Sequence, residues 1–286
     1  MIDLVIPARR KDLGDGFEVG RVLPYAQRRM VGPFIFLDHM GPVTFKPGQG
    51  IDVRPHPHIG LSTVTYLYAG EMMHRDSLGS TLAIRPGEVN WMTAGRGIVH
   101  SERTAPDVRA KGGLVHGLQT WVALPDAHAE TAPAFTHYGV DDMPKFENGG
   151  ARGVVIAGSA FGLTSAVTTH SPLFYVDVEL DAGAEIALPD NYSERAAYIV
   201  HGRVESGGIH DAHNLLVFGP GPAKIAAGDE PARVMLLGGE PVGPRHIWWN
   251  FVAVSEQRLE QAKADWKAGR MSLPPDDNGE FIPLPE

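Results

Sequence analysis

Short β-prone runs closed by glycine turns constrain this chain more than any other feature. Val64-Thr65-Tyr66-Leu67-Tyr68 ends at Ala69-Gly70, Ser80–Arg85 stops at Pro86-Gly87, and Val89-Asn90-Trp91-Met92-Thr93 closes at Gly95-Arg96-Gly97. β-Branched and aromatic residues suit a pleated, half-buried surface, and glycine supplies the positive φ of tight turns. With 34 glycines and 23 prolines spread over 286 residues, long helices have little room. The pattern predicts an all-β protein. One helix is expected near the end, capped by Ser255, with Leu259, Ala262 and Trp266 on one face and Gly269 closing it.

The chain is long enough for two domains. Residues 125–153 are rich in Pro, Gly, Asp and His and read as a connector, with the boundary placed between 132 and 133. The second half echoes the first. Gly183–Ile186 through Ala197–Gly202 resembles Gly50–Val53 through Thr65–Gly70, and Leu216–Gly221 parallels Leu82–Gly87. Two copies of one β-domain are expected, residues 1–132 with metal ligands and residues 133–286 without them.

The charge balance of −9 excludes nonspecific affinity for nucleic acid or anionic membrane as a working expectation. No cysteine is present, so disulfides and thiolate ligands are ruled out. No run approaches the ~20 apolar residues that span a bilayer, and no secretory leader is recognisable, so a soluble cytoplasmic protein is expected.

Chemistry is concentrated in His56-Pro57-His58 and His100-Ser101-Glu102. Residues i and i+2 of a strand share a face, so each triplet can aim two ligand side chains into one pocket. Three neutral imidazoles and one carboxylate suit a borderline divalent metal. In a six-coordinate ion they leave adjacent positions for an oxygen-donor substrate and dioxygen. Glu102 is the candidate catalytic residue, as ligand and nearby base. Fe(II) is the expected ion, with Ni, Cu, Zn and Mn as alternatives. Asp38, His39, His74, His116 and Gln119 are candidates to support the ligands, by chain proximity to the triplets or by their place in the family motifs that follow, whereas His201, His210, His213 and His246 lie in the ligand-free half and receive no catalytic role. Trp248-Trp249 are expected to be packing residues.

Gly50-(x5)-His56-Pro57-His58 and Pro86-Gly87…His100 resemble the two motifs of the cupin superfamily. Gly32–His39, Pro55–Gly60, Thr63–Leu67, His74–Ser77, Gly95–Glu102 and Trp248–Phe251 narrow the resemblance, over nearly the whole chain, to the pirin family. That resemblance implies two cupin-type β-barrels of the double-stranded β-helix or jelly-roll kind, with a C-terminal helix. It also implies non-haem iron held in the N-terminal barrel by His56, His58, His100 and Glu102. Ser62 departs from the pattern, because many family members carry Glu there. The implied function is a quercetin 2,3-dioxygenase-type oxidoreductase, cleaving quercetin or a related aromatic polyphenol with O2. The alternative is a metal-dependent regulatory binding protein that contacts a transcription factor or a metabolic enzyme.

Overall fold

The structure is a computed structural model that describes residues 1–12 and 17–286. Strands dominate it, and the described residues include two α-helices, Pro106–Lys111 and Glu256–Lys267. The chain gathers into two compact units. The first comprises Met1–Arg10, Gly20–His39 and Gly139–Val242; the second comprises Lys11–Val19, Met40–Tyr138 and Gly243–Glu286.

In the second unit, one sheet has the order Asp52–His58, Ile98–Arg103, Met72–Asp76, Thr81–Ile84. A larger sheet runs Ala134–Tyr138, Val89–Thr93, Leu61–Ala69, Gly113–Ala123 and on into Phe34–Phe45, of which Met40–Phe45 belong to this unit. The first unit repeats both. Its small sheet is Glu185–Ala187, Lys224–Ala227, Arg203–Glu205, Ile209–Asp211. Its large sheet places Asn214–Phe218, Glu194–His201, Ala232–Gly239 and Leu173–Leu180 side by side. The strands correspond one to one in chain order and in neighbours, so the fold is a pair of cupin-type jelly rolls.

The topology corrects part of the internal echo. Asp52–His58 answers to Glu185–Ala187 and Leu61–Ala69 to Glu194–His201, as the sequence implies. Asn214–Phe218, however, is the counterpart of Val89–Thr93, one strand later than the Leu82–Gly87 match suggested. Both strands lead into Gly-containing turns, and the shared Pro-Gly signature drew the alignment off by a strand. The counterpart of the His100 strand is therefore Lys224–Ala227. There Lys224 pairs with Glu185 across exposed surface at 2.7 Å.

Each unit encloses apolar side chains from its strands. The first packs Val155, Phe174, Val176, Ala197, Ile199, Leu216 and Leu236. The second packs a cluster of Phe17, Met40, Ile51, Leu67, Ile84 and Val115. The C-terminal helix is capped by Ser255 Oγ, which accepts from the Arg258 N–H at 3.3 Å. It buries Leu259, Ala262 and Trp266 against Ile59, Val99, Phe251 and Ala253, as its 3.6-residue periodicity predicts. Trp248 and Trp249 pack on the same cluster. The helix thus braces the strands that carry the ligand triplets. No described helix is long and apolar enough to cross a membrane.

Candidate metal centre

The two triplets sit on neighbouring antiparallel strands, with His100 directly opposite His56 and Ile98 opposite His58. Alternation does the rest. Val99 turns outward into the helix cluster while His100 turns inward. A register shift falls between His100 and Glu102, so Glu102 faces Val53 on one side and His74 on the other. The rings of His56, His58 and His100 have centroids 4.4 to 5.0 Å apart. Each offers a ring nitrogen, and these three atoms lie within 4.8 Å of one another.

Backbone carbonyls fix the orientation of two of the rings. His56 Nδ1 lies 2.9 Å from the Arg54 carbonyl, and His58 Nδ1 lies 3.1 Å from the Asn250 carbonyl. A carbonyl can only accept, so each Nδ1 carries the proton and each Nε2 keeps its lone pair. Among the described residues, His58 Nε2 and both ring nitrogens of His100 are buried without a hydrogen-bond partner. Buried polar atoms are nearly always satisfied, and orphaned imidazole nitrogens facing one point fit a divalent metal.

The surroundings keep these rings neutral. Burial pushes His56 down to about 4, opposed by its bond to the Arg54 carbonyl and helped by His74. Burial also holds His58 and His100 well below the ordinary range, with the neighbouring imidazoles adding to the effect. Neutral imidazole is the form that coordinates a metal.

Glu102 lies beside the trio but is not among its mutually close donors. Its Oε1 accepts from Thr65 Oγ1 at 3.2 Å and from Gln119 Nε2 at 3.4 Å. Burial raises its pKa, opposed by His74 and by these two donors. Thr65 and Gln119 are cross-strand partners on the larger sheet, which places that sheet's inner face against the carboxylate. On the opposite flank His74 Nε2 meets Asp76 Oδ2 at 3.0 Å, and the His74 ring stacks on Phe135 at 4.2 Å. Trp121 presents an edge-to-face contact to His58 at 5.0 Å.

Of the five expected supporting residues, His74 and Gln119 are at the site. Asp38 is engaged by Arg21 through two bonds of 2.7 and 2.8 Å, and His39 by Tyr198, all within the first unit. His116 packs against the Tyr68 ring. Ser62 hydroxyl meets Thr93 at 3.0 Å within the larger sheet. Thr65, Asp76, Trp121, Phe135 and the Asn250 carbonyl were not anticipated. Only Asp76 had a local signal, as the second residue after His74 on one strand.

Two jelly rolls of one strand order, with a buried three-histidine cluster fit for a metal, define a bicupin. The match to known proteins is correspondingly direct. Residues 16–122 match the Pirin family model and residues 175–272 match the Pirin C-terminal cupin domain. The chain is 60% identical over 290 aligned positions to a pirin-like protein of Caulobacter vibrioides, with 100% of both chains covered. It superposes on the crystal structure of a quercetin 2,3-dioxygenase from Acinetobacter baumannii with a TM-score of 0.91 and 39% identity, covering 99% of this chain and 95% of that one. A bacterial pirin from Escherichia coli, solved in complex with nickel(II), shares the fold at a TM-score of 0.65 and 19% identity, covering 84% of this chain and 100% of that one. The chain belongs to the pirin family.

Proposed function

We propose that this protein is a metal-dependent dioxygenase acting on quercetin or a related flavonol, with His56, His58, His100 and Glu102 holding Fe(II). The observation that carries the reading is the buried trio of imidazoles whose ring nitrogens lie within 4.8 Å of one another, with His58 Nε2 and both nitrogens of His100 lacking a hydrogen-bond partner. The similarity to a quercetin 2,3-dioxygenase supports the substrate class. A bound ferrous ion would supply Lewis acidity toward an oxygen-donor substrate and one-electron chemistry toward dioxygen.

The chain's own groups have separable tasks. The Arg54 and Asn250 carbonyls fix the tautomers of His56 and His58, so their Nε2 lone pairs are presented without reorganisation. Glu102, raised by burial, is poised to accept the proton of an enolic hydroxyl, and Thr65 and Gln119 stabilise the carboxylate from the larger sheet. Trp121 and Phe135 flank the site through their ring contacts with His58 and His74, an aromatic setting that supports a flat aromatic substrate.

The test is oxygen uptake by anaerobically iron-loaded protein with quercetin, beside His100→Ala and a metal-free control. Uptake with carbon monoxide release, lost in both controls, is expected. No uptake at one bound iron per chain would exclude quercetin and turn attention to protein partners.

A further inference from the structure

We infer that the first unit holds a second, separate metal site, formed by His39, Tyr198 and His213 and suited to a first-row divalent ion, copper(II) foremost. His39 Nδ1 lies 2.8 Å from Tyr198 Oη, Tyr198 Oη lies 3.4 Å from His213 Nδ1, and the two Nδ1 atoms lie 3.1 Å apart. Three donors thus form a nearly closed triangle. Ligand bonds of about 2.0–2.2 Å, subtending angles between square and tetrahedral, place neighbouring donors about 2.8–3.6 Å apart. The triangle falls within that spacing. Two imidazoles and a phenol make an N,N,O set that suits copper(II), the strongest binder among the first-row divalent ions.

The elements hold the donors rigidly. Tyr198 belongs to Glu194–His201, and its neighbours Ala197 and Ile199 point into the unit's core, so alternation sends the phenol to the other face. Tyr198 and His39 are buried, whereas His213 is exposed and leaves the ion a route in. His213 has φ +67, unusual for a residue with a Cβ. Two main-chain bonds of 2.8 Å pin it there, its N–H to the Ile199 carbonyl and its carbonyl to the Ala8 N–H. Strain retained in this way accompanies sites where a side chain must be aimed. The site does not occupy the cupin ligand positions, whose counterparts in this unit are Glu185–Ala187 and Lys224–Ala227.

The test is equilibrium dialysis of the full-length protein against copper(II), read with its visible absorption. Two ions per chain are expected, with a phenolate-to-copper charge-transfer band. His56→Ala should fall to one ion and keep the band. Tyr198→Phe and His213→Gly should each fall to one ion and lose it. His213→Gly relaxes the left-handed backbone, so an unchanged or higher Tm separates ligand loss from misfolding. One ion in the wild type, a second ion without the band, or a band that survives Tyr198→Phe would overturn the site.

Discussion

At the residue scale, the site stores unfavourable burial that only a metal relieves. His56 is pushed down to about 4 in the folded chain against 6.5 when exposed, and His58 and His100 move the same way. Between those limits the unfolded chain binds more protons, so stability falls as pH drops from 6.5 towards 4. Each histidine contributes about 1.4 kcal/mol per pH unit inside its window. Urea titrations of metal-free protein from pH 7 to pH 4 should show a steep loss, and saturating metal should raise the midpoint by a similar amount at pH 7 and pH 5, because the folded chain already holds these imidazoles unprotonated at both. His100 is the sharper probe, since neither of its nitrogens has a partner. Replacing it with an apolar side chain removes two unsatisfied polar atoms. His100→Leu should therefore abolish metal binding yet leave the metal-free protein at least as stable as wild type at pH 5. A loss of more than about 2 kcal/mol in that variant would mean the imidazole is satisfied after all. His56-x-His58 and His100 were legible because strand alternation is a local rule. Thr65, Trp121 and Asn250 were not, because cross-strand register and a segment 192 positions from His58 bring them there.

At the scale of elements, the turn after the first triplet is the critical joint. Gly60 has φ +67, and a Cβ on it would lie 2.0 Å from the Val252 carbonyl oxygen. That carbonyl belongs to the hairpin of His246–Trp248 and Phe251–Ala253, whose turn residue Asn250 supplies the acceptor for His58. Gly60→Ala should displace the hairpin and weaken metal binding about 10–100-fold, the usual effect of losing a group that orients a ligand. Gly79→Ala is the control, since Gly79 has φ +89 but nothing within 4 Å of a Cβ. It should cost only the left-handed backbone term of about 1–2 kcal/mol, with metal affinity unchanged by isothermal titration. The strands were legible from Gly-closed β-branched runs, and the C-terminal helix from its cap and apolar stripe. The helix Pro106–Lys111 was missed because it buries no side chain and so has no periodicity to read. The strand-shifted echo shows a related limit: turn signatures recur more readily than the strands they punctuate.

For the whole molecule, the repeated topology sets up an internal control. Two barrels share eight strands in the same order, but the buried histidine trio lies wholly within one of them. At the equivalent strands the first unit places an exposed Lys224–Glu185 pair, and exposed pairs contribute little to stability. Binding energy delivered at the trio should therefore stiffen only the elements that hold it. With one equivalent of iron(II) under anaerobic conditions, amide exchange should slow in Asp52–His58, Ile98–Arg103 and Phe251–Ala253. It should not change in Glu185–Ala187 or Lys224–Ala227. The helix Glu256–Lys267 should gain protection with the ligand strands, because Leu259, Ala262 and Trp266 pack on Ile59 and Val99, each adjacent in sequence to a ligand. Equal slowing in both small sheets would show that the ion acts on global stability rather than through the three imidazoles. Slowing confined to the trio's strands, with the helix unaffected, would show that the packing behind them does not transmit the constraint.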